Sequence, residues 1–82
     1  MDRNKLYEVV IDCIREVVPE LQRSTLVGNE SFESLGINSV ERADVIARSL
    51  EALSLNVARV SVSGAKTIEE FVDLLHEKFE SP

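Results

Sequence analysis

Tryptophan is missing from these 82 residues, and one tyrosine with three phenylalanines supplies all the aromatic rings. Any core must therefore be mostly aliphatic. Cys13 is the sole cysteine, which excludes an intramolecular disulfide and argues against a cysteine-based zinc site. Its ordinary meaning is a small apolar residue on a helix. His76 is the sole histidine, and the carboxylates show no ligand spacing around it, so no metal site is assigned. Positive charge is also scarce, with 9 basic against 15 acidic residues and a net charge of −6. A nucleic-acid binder needs the opposite sign, and partners with basic patches suit this field better. No apolar run is long enough for a signal peptide or a membrane span, so no membrane partner is expected and the cytoplasm is the expected location.

What is present is helical patterning. Leu6, Val9, Val10, Cys13, Ile14 and Val17 recur at three- and four-residue steps, predicting a first helix from Asn4 to Val18. Pro19 disfavours helical geometry at Val18 and ends it. A last helix follows Thr67, a cap with Glu70 three residues on, and buries Ile68, Phe71, Val72, Leu75 and Phe79. From Pro19 to Asn38 there is no clear period, and an unstructured stretch of that length sits poorly in one small domain spanning 1–82. Leu21, Leu26, Val27, Phe32, Leu35 and Ile37 nevertheless give it apolar anchors, and a helical turn is expected near Ser31 to Leu35. Val60-Ser61-Val62-Ser63 alternates like a strand but has no second strand to pair with. A turn or two of irregular helix, broken by Gly64, is expected there instead.

The middle of the chain carries the most specific signal. The loop tightens at Gly36, Asn38 is a good N-cap, and Glu41 three residues later completes a capping box. Ser39 then lies in the first turn of a helix running to about Leu53, where a phosphate on its hydroxyl meets a favourable field. Gly36, Asn38, Ser39 and Val40 match Gly-x-(Asp/Asn)-Ser-(Leu/Val/Ile), and on these residues the chain resembles the acyl carrier proteins along essentially its whole length. The resemblance implies an all-α four-helix bundle with a short third helix and a long loop between the first two helices. It also implies that Ser39 carries 4′-phosphopantetheine, attached by a phosphopantetheinyl transferase.

For the helix after Ser39, counting by 100° groups Val40, Ala43, Ile46, Ala47, Leu50 and Leu53 into one apolar arc and leaves Val45 outside. The family pattern instead turns Val45, Ile46, Ser49 and Leu53 inward. It leaves Val40, Ala43, Asp44, Ala47 and Glu51 outward to meet partners, and we follow it. With the neighbouring Glu41, Arg42 and Arg48, these make the expected docking surface. Asn-Ser-Val followed by an acidic residue, Arg, Ala and Asp, with Gly-Ala-Lys-Thr-Ile ahead of the last helix, is similar to a narrower group. These are the free-standing donor carriers of polyketide β-branching cassettes, which pass an acetyl group to a hydroxymethylglutaryl-CoA-synthase-like (HMG-CoA-synthase-like) enzyme. The resemblance therefore implies a monomeric carrier served by such a synthase, or by a ketosynthase or acyltransferase of a polyketide pathway. A general polyketide or fatty-acid carrier is the alternative within the family. A small helical interaction module without a prosthetic group is the alternative outside it.

An enzyme would have to start from Ser39 with His76 as base and Asp44 or Asp73 as orienter. The glycines of the G-x-S-x-G elbow are misplaced around Ser39, and so small a bundle has little room for a substrate cleft. No catalytic residue is assigned.

Overall fold

The computed structural model describes residues 2–26 and 28–80, and its first helix opens one residue earlier than the apolar period suggests. Helix α1 spans Arg3–Val17 because Asp2, not a later residue, is the cap, its carboxylate accepting from the Lys5 N–H at 2.9 Å. At the other end Val18 leaves helical geometry ahead of Pro19, which starts a 3₁₀ turn, Pro19–Leu21. Helix α2 spans Ser39–Ala52 and helix α3 spans Ile68–Glu80, the expected last helix. The chain is all-helical among the described residues, and a lone bridge between Ser31 and Thr67 is the nearest thing to β-pairing there.

Where a short third helix was expected, the structure has a 3₁₀ turn, Arg59–Val62, so the described residues hold three α-helices rather than four. The serines of the alternating run explain why it stays short. The Ser61 hydroxyl donates to the Ala58 carbonyl at 2.7 Å and that of Ser63 to the Val60 carbonyl at 3.0 Å, each beside the i+3 N–H on the same oxygen, local bonds that compete with a longer helix.

Helix α1 lies between the other two and packs closely against both, while α2 and α3 approach each other less closely. The 3₁₀ turn Arg59–Val62 touches both and fills the gap with the fully buried Val62. This central position gives α1 a wider buried face than a single stripe: Ile11 is buried beside the expected Leu6, Val10, Cys13 and Ile14. On α3 the expected Ile68, Phe71, Val72 and Leu75 are buried, with Phe79 half-buried at the end.

The connection from Val18 to Asn38 is tied down by its own backbone. Phe32 N–H donates to the Lys66 carbonyl at 2.9 Å, and the Glu69 N–H, otherwise an orphan donor of the first turn of α3, donates to the Gly28 carbonyl at 3.0 Å. The remaining cap of α3 is the expected one, with Glu70 N–H donating to the Thr67 hydroxyl at 3.1 Å. Phe32 is buried and meets Phe71 edge-to-face at 6.5 Å between ring centroids, which joins the loop to the core. The helical turn expected near Ser31 to Leu35 forms, with the Leu35 N–H donating to the Ser31 carbonyl at 3.1 Å. Leu26 packs half-buried on the core, and Val27, also expected as an anchor, lies outside the described residues.

Candidate functional site

Ser39 is delivered by a turn that leaves little freedom. Gly36 adopts φ +79°, a conformation that side chains with a Cβ rarely take, and its N–H donates to the Glu33 carbonyl at 3.0 Å. The next residue, Ile37, is buried, and its N–H donates to the Phe32 carbonyl at 3.0 Å. Asn38 is then extended (φ −77°, ψ 174°) and closes the capping box in both directions. Its side-chain carbonyl accepts from Glu41 N–H at 2.8 Å, and its own N–H donates to the Glu41 carboxylate at 3.0 Å. A cap of this kind is worth about 1 kcal/mol.

Ser39 is the first helical residue, exposed, and its hydroxyl has no hydrogen-bond partner among the described residues. That hydroxyl is free to be modified. A phosphate ester there would sit by the first-turn N–H groups that α2 leaves unpaired. These features fit a covalent phosphate-linked group at this position.

The burial pattern of α2 decides between the two rotations of the helix. Val45 is fully buried and Val40 is 77% exposed, so the family pattern holds and the wide arc read from periodicity does not. Ser49 is fully buried as well, against the Cys13 thiol of α1, and its Oγ has no well-formed hydrogen bond. Burial pushes the Cys13 thiol above its ordinary range, and the nearby Ser49 hydroxyl pulls weakly the other way. This matches an inert core thiol.

Of the expected docking residues, Val40, Ala43, Asp44 and Glu51 are exposed along one flank, with Ala47 half-buried among them. Glu41 is occupied by the cap. Of the two arginines, Arg48 is exposed beside Asp44 at the edge of this flank, and Arg42 lies away from it. Arg48 turns to the α1 side, where its Nε lies 3.3 Å from Asp44 Oδ1 and its Nη1 3.5 Å from Glu16 Oε2. Arg42 is two residues from Val40, about 200° around the axis, and is half-buried over the loop in a groove with Phe32 and Glu33. His76 is partly exposed, and the carboxylate beside it, at 3.2 Å, is that of Glu80. No group of metal-ligating side chains forms among the described residues, and no helix among them is long and apolar enough to cross a membrane.

The structure thus presents an exposed serine hydroxyl at the first residue of a capped helix, on a small acidic helical scaffold. The sequence relationships give the class: the chain belongs to the acyl carrier proteins, a family that carries acyl groups and does not catalyse their chemistry. The polyketide biosynthesis acyl-carrier-protein AcpK of Bacillus subtilis (strain 168) is 40% identical over 81 residues, covering 99% of each chain. A chain from the crystal structure of the curacin biosynthetic pathway HMG synthase in complex with acetyl donor-ACP is also 40% identical. It superimposes with a TM-score of 0.87 over 92% of this chain and 96% of that one. No family model matches the sequence.

Proposed function

We propose that this protein is an acyl carrier of polyketide biosynthesis, loaded through 4′-phosphopantetheine on Ser39 and supplying an acetyl group for β-branching. The observation that carries the reading is the exposed, partner-free Ser39 hydroxyl held at the start of α2 by the Asn38–Glu41 capping box. The 40% identity to a polyketide carrier, and to a chain from an HMG synthase complex with an acetyl donor, supports the pathway and the cargo. In this reading the turn Arg59–Val62 stands for the short third helix of the four-helix carrier fold. Likewise the stretch from Val18 to Asn38 is its long loop, and the chain is one carrier domain working as a cytoplasmic monomer.

Loading is a phosphoryl transfer: a transferase bonds Ser39 Oγ to the phosphorus of the pantetheine half of CoA. The pyrophosphate P–O bond breaks, 3′,5′-ADP leaves, and the serine proton passes to the transferase or to solvent. The arm supplies a terminal thiol that holds the acyl group as a thioester. The chain's own part is to fix the attachment point and to present Val40, Ala43, Asp44, Ala47 and Glu51 to successive partners. An HMG-CoA-synthase-like enzyme would be the acetyl acceptor, and a ketosynthase or acyltransferase would be its neighbour in the pathway. Tethering raises the local concentration of the acyl group in each partner's active site, and docking must be weak enough to release.

Intact-mass analysis after incubation with CoA and a transferase tests the site. Wild type should gain one arm and Ser39→Ala none. An arm on Ser39→Ala would remove Ser39 as the attachment point, and none on wild type would leave a helical interaction module as the better reading. A loaded protein whose acetyl group the synthase refuses, while a fatty-acid ketosynthase accepts it, would make it a general carrier.

A further inference from the structure

Ser39 opens onto a groove whose charge is opposite to that of the protein. One depression is lined by Ser39, Asn38, Ile37, Phe32, Glu33 and Arg42, and the next by Ser31, Phe32, Glu33, Arg42 and Lys66. They share Phe32, Glu33 and Arg42, so a continuous path runs from Ser39 past Arg42 to Lys66. Two cations against one carboxylate line it, on a chain with a net charge of −6. Both cations are unclaimed: among the described residues, neither the Arg42 guanidinium nor the Lys66 ammonium has a hydrogen bond or ion pair. Arg3, Lys5 and Arg48 are paired with carboxylates, and Arg23, Arg59 and Lys78 are unpaired too among the described residues, so it is the joint placement of Arg42 and Lys66 beside Ser39 that sets these two apart. Arg42 also stands three residues after Ser39 on α2, the spacing that brings side chains together on one helix face. Lys66 is held alongside through its carbonyl, which accepts from Phe32 N–H at 2.9 Å.

We infer that this groove is a subsite for the phosphodiester of the arm on Ser39, with Arg42 as its main contact and Lys66 extending the favourable field. The inference rests on Ser39 being the attachment point. Its ligand class is a phosphodiester monoanion bonded to the Ser39 oxygen, so the tether holds the anion within side-chain reach of Arg42 at high effective concentration. An arginine suits a phosphate oxygen pair better than a lysine does, which ranks the two cations. Docked in this way, the arm leaves Ser39 over Phe32 and towards Lys66, away from the exposed flank of Val40 and Asp44. The partner-facing side of α2 is then clear until an enzyme draws the arm off. Because the groove is open to solvent, the hold is weak, salt-sensitive and easily reversed, as a carrier requires.

The test begins with mass-verified loaded protein, so failure of loading is seen separately and counts against Ser39 rather than against the groove. Backbone amide shifts of Lys66 and Glu33, and the ³¹P resonance of the phosphodiester, are compared before and after loading. This is done for wild type, Arg42→Gln, Arg42→Lys, Lys66→Gln and the remote Arg23→Gln. Loading should move Lys66 and Glu33 in wild type and Arg23→Gln. That movement should shrink up to about fivefold in Arg42→Gln, in line with the loss of one solvent-exposed ion pair. Lys66→Gln should shrink it less, and Arg42→Lys should restore part of it. Raised salt should drive the wild-type ³¹P shift towards that of Arg42→Gln. A loaded wild type whose Lys66 and Glu33 amides do not move, or whose ³¹P shift ignores both salt and Arg42→Gln, would overturn the inference.

Discussion

The two irregular stretches of this protein, Val18 to Asn38 and Leu53 to Thr67, solve the same problem by different means. Both must cross the bundle without a long helix. The first is fixed by backbone bonds to the start of α3, by the Phe32–Phe71 contact, and by Gly28 lying against Tyr7 and Glu69. The second turns off α2 at a strained cap and meets the first only at its end, through the Phe32–Lys66 bond; over the rest of its length it relies on the side chains of Val62 and Ala65, while Val60 stays 80% exposed. The difference follows the site. Ser39 stands at the end of the first stretch, so its position is set by bonds that reach the far side of the molecule. The second stretch closes the side between α2 and α3, where the helices approach each other less closely than either approaches α1.

The largest expected effect tests this contrast directly. Phe32→Ala should cost about 3–5 kcal/mol, because it removes a buried ring and the contact that joins the loop to α3. Val62→Ala removes two buried methyl equivalents and should cost about 2–3 kcal/mol. Urea unfolding measures both. Amide exchange should also separate them at the Arg42 N–H, which donates to the Asn38 carbonyl at 2.8 Å in the first turn of α2. Protection there should fall further in Phe32→Ala than the loss of global stability explains, whereas Val62→Ala should lower it only by that global loss. Equal behaviour of the two variants would mean that the first stretch does not govern the site.

One substitution made in both stretches gives a smaller and sharper contrast. A Cβ on Gly28 would lie 2.7 Å from Glu69 Cγ and 3.0 Å from the Tyr7 hydroxyl oxygen, while one on Gly64 meets nothing within 4 Å. Gly28→Ala should therefore cost about 1–3 kcal/mol as the loop is pushed off α3. Gly64→Ala should be neutral or stabilising by up to about 1 kcal/mol, since it restricts the unfolded chain without a clash. Thermal melts of the two variants decide it. A destabilising Gly64→Ala would show that the second stretch is as tightly fitted as the first.

How much of this could be read from the residues depends on how local each cause is. Capping is local: Asn38 with Glu41 and Thr67 with Glu70 were legible, and both form. The stripe of α3 was legible because α1 is the one long helix it packs on, and the loop and the Arg59–Val62 turn meet α3 without burying residues off that stripe. Helix α1 packs on two, and Ile11, outside the stripe, is buried for a reason that no period within α1 contains. Periodicity misplaced α2 because its first turn overhangs the loop, leaving an apolar Val40 in solvent, while the polar Ser49 is buried against Cys13. The groove beside Ser39 was not legible at all. Its members come from the loop, from α2 and from the residue before the α3 cap, and contacts distant in sequence, the Phe32–Lys66 backbone bond among them, bring them together.

The smallest expected effect lies where α2 ends. Leu55 N–H donates to the Leu50 carbonyl at 2.9 Å and Ser54 N–H to the Glu51 carbonyl at 3.1 Å, the paired bonds of a Schellman cap. That motif needs a left-handed residue at its centre, and here the residue is Ser54 at φ 52° rather than glycine. Left-handed geometry costs a residue with a Cβ about 1–2 kcal/mol, and the greater freedom of glycine in the unfolded chain offsets roughly 0.5–1 kcal/mol of any gain. Ser54→Gly should therefore stabilise by about 0.5–1 kcal/mol, raising Tm by roughly 2–8 °C in a domain of this size. The site lies at the opposite end of α2, so arm attachment at Ser39 should proceed at the wild-type rate. A lower Tm in Ser54→Gly would show that the serine side chain makes a contribution larger than the strain it bears. A changed rate of loading would show instead that the two ends of α2 are coupled, and that the second stretch has a part in positioning the site.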